Sequence, residues 1–307
     1  MVAKSEGWLM ENGKSEGAAL MLVLGAVVSV QFGQALGKQM FGVVEPMGVV
    51  ALRLGLAAVV LLAVHRPAVP RSRAELALVL GFGTAIAGMN LIYPALAYLP
   101  LGLAISLQLL GPVTLALLAS RRLLDLLLAA LAGLGVWLFH APASAHFPLP
   151  GVLLALGGGV SMALYLVLSR RTGARSAGGG PLALAVLWAA VLTAPFGAAQ
   201  SGTTLLEPQV LLNGLVVALL SAVLPYSLEL AALRRLPPRT VGVLQSLEPA
   251  VAGLAGTLLL SEHLQLVQWL ALACIGVASA STVVRTGRAR QVASAEAPPL
   301  PKGSRHG

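Results

Sequence analysis

Ten long apolar runs dominate this sequence and leave the chain few ways to fold. Each run is close to the roughly 20 residues that an α-helix needs to cross the hydrocarbon of a bilayer. Because the backbone finds no water inside lipid, a run of this length satisfies its own polar groups as a helix. The ten predicted spans are residues 17–36, 47–64, 76–93, 101–120, 123–140, 151–169, 182–199, 210–233, 239–260 and 266–284.

The composition excludes a soluble protein. Of the 307 residues, 57% are hydrophobic and 10% are charged, whereas a soluble domain carries about 25% charged residues. The net charge of +9 could suggest nucleic acid binding, but the basic residues form short clusters between apolar runs, as orientation signals do. We therefore predict an all-α integral membrane protein whose surroundings are a lipid bilayer and not nucleic acid.

The basic residues lie almost entirely on one side of the predicted membrane. If the N-terminus is cytoplasmic, Lys38 alone lies on the opposite side and Arg53 lies inside a span. Cytoplasmic loops carry an excess of Lys and Arg, so this asymmetry favours ten spans with both termini in the cytoplasm. The basic residues on the cytoplasmic side are Lys4, Lys14, Arg66, Arg71, Arg73, Arg121, Arg122, Arg170, Arg171, Arg175, Arg234, Arg235, Arg239, Arg285, Arg288, Arg290, Lys302 and Arg305.

An internal repeat divides the chain in two. Residues 95–112, ALAYLPLGLAISLQLLGP, align with residues 232–249, ALRRLPPRTVGVLQSLEP. Since five spans per repeat is an odd number, the second repeat would insert upside down, a recurring design of secondary transporters. The predicted parts are a cytoplasmic tail at 1–16, five-helix repeats at 17–141 and 151–284, and a basic, disordered cytoplasmic tail at 285–307.

Glu248 is the first candidate for a functional residue. It lies near the middle of the span 239–260, where a charged group is costly and by default marks a site or a pathway. Pro249 removes a backbone donor and would open the helix locally, and Gln245 shares the face of Glu248. We interpret this turn as the lining of a cavity; the alternative is a protonated or hydrogen-bonded glutamate that only locks helices together.

Arg53 and Glu229 are the other two candidates among the charged residues inside predicted spans. Arg53 could grip a substrate carboxylate with its planar fork, although snorkelling and an internal salt bridge are equally open. Glu229 follows Tyr226 by one turn, so these two residues could line the pathway. Its nearness in sequence to Arg234 and Arg235 makes a satisfied glutamate at the cytoplasmic mouth an equal alternative.

Uncharged polar residues inside the apolar runs give weaker signals. A glutamine or asparagine in a membrane helix is more often a link between helices than a ligand. Gly111–Pro112 corresponds to Glu248–Pro249 in the repeat, so we expect a broken helix at Pro112 and another at Pro249, with dipole ends that can hold a charged group. The polar residues are Gln31, Gln34, Asn90, Tyr93 and Gln108.

Several chemical functions find no support in the sequence. There is no Walker pattern, so ATP is not the expected energy source. The histidines lack the spacing of metal ligands, the single cysteine Cys274 cannot form an intrachain disulfide, and no nucleophile–base pair is apparent. We therefore predict no enzyme, no metal and no cofactor.

Three motifs resemble one known family over nearly the whole chain between the tails. GVVALRLGLAAVVLL at 48–62, LPYSLE at 224–229 and SLEPA at 246–250 are similar to the EamA branch of the drug/metabolite transporter superfamily, and within it to the bacterial inner-membrane exporters of threonine and homoserine. The resemblance implies two inverted five-helix repeats and proton-coupled efflux of small amino acids. The residues that match the family pattern are Arg53, Tyr226, Glu229, Gln245 and Glu248.

One position departs from that pattern. Where related exporters carry an acidic residue before Gly-Pro in the fourth span, this chain has Gln108. The change removes a charge from the expected site, which puts the substrate range and the coupling in question.

The residues and the resemblance together predict an alternating-access antiporter for threonine, homoserine or similar zwitterions, with protons as the second partner. Glu248 would hold the ammonium group, and Arg53 or a broken-helix N-terminus the carboxylate. A proton on Glu248 would weaken its grip on the ammonium group and so couple the two fluxes. Two alternatives stay open: a same-fold exporter of other amino acids, purines or drugs, and a polytopic membrane enzyme or sensor.

Overall fold

The structure, a computed structural model, describes residues 2–118, 148–173, 179–233, 235–236 and 238–296, together with positions 127, 130, 131, 134, 135 and 138. Within these residues every regular element is helical. The helices are α1 Val2–Gln39, α2 Pro46–His65, α3 Arg73–Met89, α4 Ile92–Leu96, α5 Leu101–Leu118, α6 Leu149–Gly173, α7 Gly180–Ser201, α8 Pro208–Ala218, α9 Leu224–Leu233, α10 Pro238–Gln245, α11 Glu248–Leu260 and α12 Leu266–Glu296.

Nine of the predicted spans coincide with apolar helices. Among the described residues, 7 helical stretches are long and apolar enough to cross a membrane, and the shorter apolar helices Leu101–Thr114 and Leu266–Ser281 add two more. The predicted fifth span, 123–140, lies mostly outside the described residues. The chain is therefore a multi-pass helical membrane protein.

Contacts between helix ends define the two ends of the bundle. At one end Lys38, close to the end of α1, donates from Nζ to the Leu99 carbonyl at 2.9 Å, and Gly151 at the start of α6 packs against Leu99. At the other end Gly179, just before α7, packs against His65 at the end of α2. We call these the Lys38 end and the His65 end. Exposed arginines close to the His65 end are Arg66, Arg71, Arg73 and Arg235.

The two halves of the chain interleave. Helix α2 packs against α7, α1 packs against α9 and α11, and α6 packs against α3 and α5. Small residues allow this close approach, as is usual in membrane helices. A Cβ added at Gly111 of α5 would overlap the Gly159 carbonyl of α6. The bundle is thus sealed by contacts between the halves as well as within them.

The expected helix interruptions are found at one of the two proline positions. The ninth span breaks at Ser246–Leu247, so that Glu248 and Pro249 begin α11. Helix α5 runs on through Pro112, so the expectation of a break there is wrong. A proline removes only one backbone donor, and the tight contact of the neighbouring Gly111 with α6 holds the helix in place. The interruption in the first half falls instead between α3 and α4.

Helices extend into both predicted tails. Helix α1 begins at Val2, inside the predicted tail 1–16. Helix α12 continues to Glu296, so the expectation that the tail is disordered from residue 285 is wrong as far as Glu296. Residues 297–307 lie outside the described ones.

Candidate functional site

Arg53 is buried in α2, with 5% of its surface exposed. Its Nε donates to Ser221 Oγ at 2.6 Å and its Nη2 donates to the Ser221 carbonyl at 2.6 Å. Its Nη1 donates to Asn90 Oδ1, and the guanidinium carbon lies 5.5 Å from the centre of the Tyr93 ring. Neutral groups of the protein therefore hold this charge, which excludes the snorkelling interpretation.

Two irregular turns present these acceptors to Arg53. Ser221 lies in the π-helical turn Leu219–Val223 between α8 and α9, and such turns release carbonyl groups from the regular helix pattern. Asn90 lies at the interruption between α3 and α4, where its Nδ2 donates to the Ile86 carbonyl at 2.8 Å. That bond fixes the amide so that Oδ1 faces the guanidinium group.

Tyr226 and Tyr165 extend the cluster towards the acidic residues. The Tyr226 hydroxyl interacts with Arg53, Glu229 and Tyr93. Tyr165, from α6, interacts with Tyr226 and Glu229 and stacks on Phe82 with ring centres 5.1 Å apart. Sequence reasoning missed Tyr165, although it is one of only 4 tyrosines in the chain and lies within a predicted span.

Two carboxyl groups lie near each other beside these tyrosines. Glu229 from α9 lies close to the Gln245 side chain and is close enough to Glu248 for the two acids to interact. Both glutamates are partly buried. The interruption at Ser246–Leu247 lies between Gln245 and Glu248, so both ends of the broken span reach this pair of acids. Of the two arginines considered from the sequence as partners for Glu229, Arg234 lies outside the described residues and Arg235 is exposed.

Gln108 has a role as a link between helices. Its Nε2 donates to the Met89 carbonyl at 2.9 Å, at the end of α3 and next to Asn90. The bond satisfies a carbonyl that the break between α3 and α4 leaves free. Gln108 thus stabilises the turn from which Asn90 holds Arg53.

Three polar side chains have buried atoms without a hydrogen-bond partner in the part of the chain that the structure describes. Both amide atoms of Gln31 lack a hydrogen bond, as do Gln34 Oε1 and the Tyr93 hydroxyl. Gln31 is 1% exposed. Buried polar atoms are normally paired, so these four atoms require an explanation.

A cavity of about 330 Å³ lies at the Lys38 end between α1 and α8. Its walls include Leu36, Met40, Asn213 and Val217. Val217 lies against Gly37, and Gly37 packs on the Tyr93 ring. Val217, Gly37 and Tyr93 therefore lie between the cavity and Arg53.

An ion pair and two hydrogen bonds close the bundle at the Lys38 end. Lys38 Nζ forms an ion pair with Glu262 Oε1 at 2.7 Å, and Glu262 also accepts from the Leu101 backbone N–H at 3.0 Å. Gln39 Nε2 donates to the Leu259 carbonyl at 2.5 Å. These bonds join the ends of α1 and α11 to the start of α5.

The fold and the cluster define a class: a multi-pass helical membrane protein with charged and polar side chains sealed between its two halves. Residues 149–284 match the EamA-like transporter family. The threonine/homoserine exporter RhtA of Salmonella typhimurium LT2 is 41% identical over 280 residues, covering 89% of this chain and 94% of that protein. The RhtA of Escherichia coli K12 is 42% identical over 265 residues, covering 85% and 89%. The chain belongs to the EamA-like transporter family.

A solved crystal structure shares the fold. It aligns with a TM-score of 0.59 at 19% identity and covers 87% of this chain and 98% of its own. At that identity the likeness concerns the fold alone.

Proposed function

We propose that this protein is a secondary-active exporter of small amino acids such as threonine and homoserine in the bacterial inner membrane. One observation carries the proposal: a buried arginine held by neutral groups lies within interaction distance of a tyrosine that also interacts with Glu229, the neighbour of Glu248. An amino acid zwitterion carries the two charges that match such an arrangement. The similarity to curated threonine/homoserine exporters supports the choice of cargo.

Arg53 is the proposed carboxylate-binding group. A guanidinium group has five N–H donors, and the bonds to Ser221 and Asn90 use one from each of its three nitrogens. The remaining donors can bind a carboxylate with a charge-assisted hydrogen bond. Because the protein itself orients the guanidinium group, the cargo does not have to order it.

Glu248 and Glu229 are the proposed ammonium-binding pair and the point of coupling. An ammonium group and a proton both neutralise a carboxylate, so binding of one weakens binding of the other. A proton taken up from outside would release the cargo, and the return of Glu248 to the ionised form inside would prepare it for the next amino acid. This competition is sufficient for antiport.

The proposed topology is ten helices in two inverted five-helix repeats, with both termini cytoplasmic. If α1 and α6 begin the two repeats, α1 packs against α9 and α11, and α6 packs against α3 and α5. Each first helix then contacts the third and fourth spans of the other repeat, as a two-fold relation between the repeats requires. Leu118 and Leu149 lie at opposite ends of the bundle, and Gly135 packs against Ile275. Both observations favour a tenth crossing between α5 and α6.

Alternating access requires a closure that can open. We propose that the ion pair between Lys38 and Glu262 closes the outer side of the transporter. The cavity beside it would be the vestibule through which the cargo leaves. The ion pair joins the two repeats, and its side chains are 20% and 12% exposed, so water can compete for it. Rocking of the repeats against each other would separate them.

A transport assay in a bacterium lacking amino-acid exporters tests the function. Expression of the wild-type protein should give resistance to toxic threonine and homoserine, and Glu248→Gln should remove it. Glu45→Gln, at an exposed glutamate outside the cluster, should keep it. Resistance confined to purines or drugs would replace the cargo and keep the fold, whereas no resistance to any metabolite would favour a membrane enzyme or sensor.

A further inference from the structure

We propose that Gln31 recognises the side-chain hydroxyl group of the cargo and thereby sets the preference for threonine and homoserine over apolar amino acids. The inference rests on the proposed function and names the group that gives it specificity. Gln31 is 1% exposed, and in the described part of the chain neither its Nε2 nor its Oε1 has a hydrogen-bond partner. An amide buried in this way loses its bonds to water and gains none in return, which costs free energy.

Contacts at the Lys38 end fix the register of α1 against α11. Lys38 pairs with Glu262 at 2.7 Å, and Gln39 donates to the Leu259 carbonyl at 2.5 Å. Both helices run towards this end and rise by about 1.5 Å per residue. Two turns back along both helices, Gln31 comes level with Ala252, which is about one turn from Glu248.

The face of α1 agrees with this register. Gln31 and Lys38 are two turns apart and share a face, and Lys38 contacts Leu99 and Glu262. On this register Gln31 faces α11, at the level of the fully buried Ala252.

The other unpaired atoms lie between Gln31 and Arg53. Gln34 and Gly37 follow on successive turns of α1, and a Cβ at Gly37 would lie 3.4 Å from the Tyr93 hydroxyl. The Tyr93 ring in turn covers the guanidinium group of Arg53. The unpaired atoms of Tyr93, Gln34 and Gln31 therefore lie beside α1, between Arg53 and the level of Glu248. The side chain of a zwitterion bound between those two charges would lie along this path.

A hydroxyl group fits an amide with both atoms unpaired. It can accept from Nε2 and donate to Oε1, so threonine or homoserine would satisfy Gln31 completely. Valine has the shape of threonine with a methyl group in place of the hydroxyl, and it would leave both amide atoms buried and unpaired. Sites built to bind a hydroxyl reject the analogue without it for this reason.

Transport by the purified protein in proteoliposomes tests the inference. The preference is the ratio of kcat/KM for threonine to kcat/KM for valine, with homoserine and norvaline as a second pair. We expect the wild type to prefer the hydroxylated member, and Gln31→Leu to lower that preference about tenfold by slowing threonine and not valine. The matched control Gln265→Leu, at an exposed glutamine, should leave the ratio unchanged.

Two failures are distinguishable. A wild type that transports neither threonine nor homoserine removes the proposed function, and hydroxyl recognition with it. A wild type that transports threonine while Gln31→Leu keeps the wild-type ratio removes hydroxyl recognition alone, as does a wild type with no preference within either pair. If Gln31→Leu does not fold, Gln31→Met keeps the length of the side chain without its hydrogen bonds, and the same ratios decide.

Discussion

At the scale of single residues, the burial of Arg53 is the most informative fact about this protein. A charge at membrane depth is costly, and here Ser221 and Asn90 offset part of that cost with neutral oxygen atoms. None of these three bonds neutralises the charge. A residue that is fixed in orientation and still positively charged suits repeated binding and release of an anionic group.

Arg53→Lys tests whether the planar fork matters or only the charge. Lysine has one nitrogen and cannot bond to Ser221 and Asn90 in the way that the guanidinium group does. We expect threonine transport to fall by about tenfold or more, measured as initial rates in proteoliposomes. Arg73→Lys, at an exposed arginine, is the control, and equal rates for the wild type and Arg53→Lys would contradict the assignment.

At the scale of secondary-structure elements, three irregular turns build the site. The π turn Leu219–Val223, the break after α3 and the break at Ser246–Leu247 each bring polar groups to the centre of an otherwise apolar bundle. The sequence predicted the last of these because Glu248 and Pro249 mark it. It could not predict the π turn, since Ser221 in an apolar run carries no signal of which helix it will face.

The contact of α1 with the π turn is open to a direct test of packing. A Cβ at Gly33 would lie 2.8 Å from Ser221 Cβ, too close without a shift of one helix. We expect Gly33→Ala to destabilise the protein by about 1–3 kcal/mol and to reduce transport by displacing Ser221 from Arg53.

The control for this substitution lies on the same helix. A Cβ at Gly25 would meet Leu228 Cδ1 at 3.6 Å, an ordinary contact, so Gly25→Ala should not destabilise the protein and should stabilise it by up to about 1 kcal/mol through helix propensity. Unfolding of both variants by denaturant in detergent measures the difference. Equal stabilities of Gly33→Ala and Gly25→Ala would show that the approach of α1 to Ser221 is not tight.

At the scale of the whole molecule, the sequence predicted the spans well because the bilayer imposes their length and apolarity. It also identified most of the central residues, since polar groups inside apolar runs are rare enough to be noticed. The sequence could not predict which of these residues contact each other, because Arg53 and Ser221 come from different halves of the chain. The expected break at Pro112 failed because the effect of a proline depends on the contact that Gly111 makes with α6.

The central claim is that a proton and the ammonium group of the cargo compete for the pair of acids at Glu229 and Glu248. The most direct test adds threonine to the purified protein in a weakly buffered detergent solution and follows proton release with a pH indicator. We expect the wild type to release protons as threonine binds and Glu248→Gln not to release them. Threonine binding to the wild type without proton release, or equal release from Glu248→Gln, would contradict it.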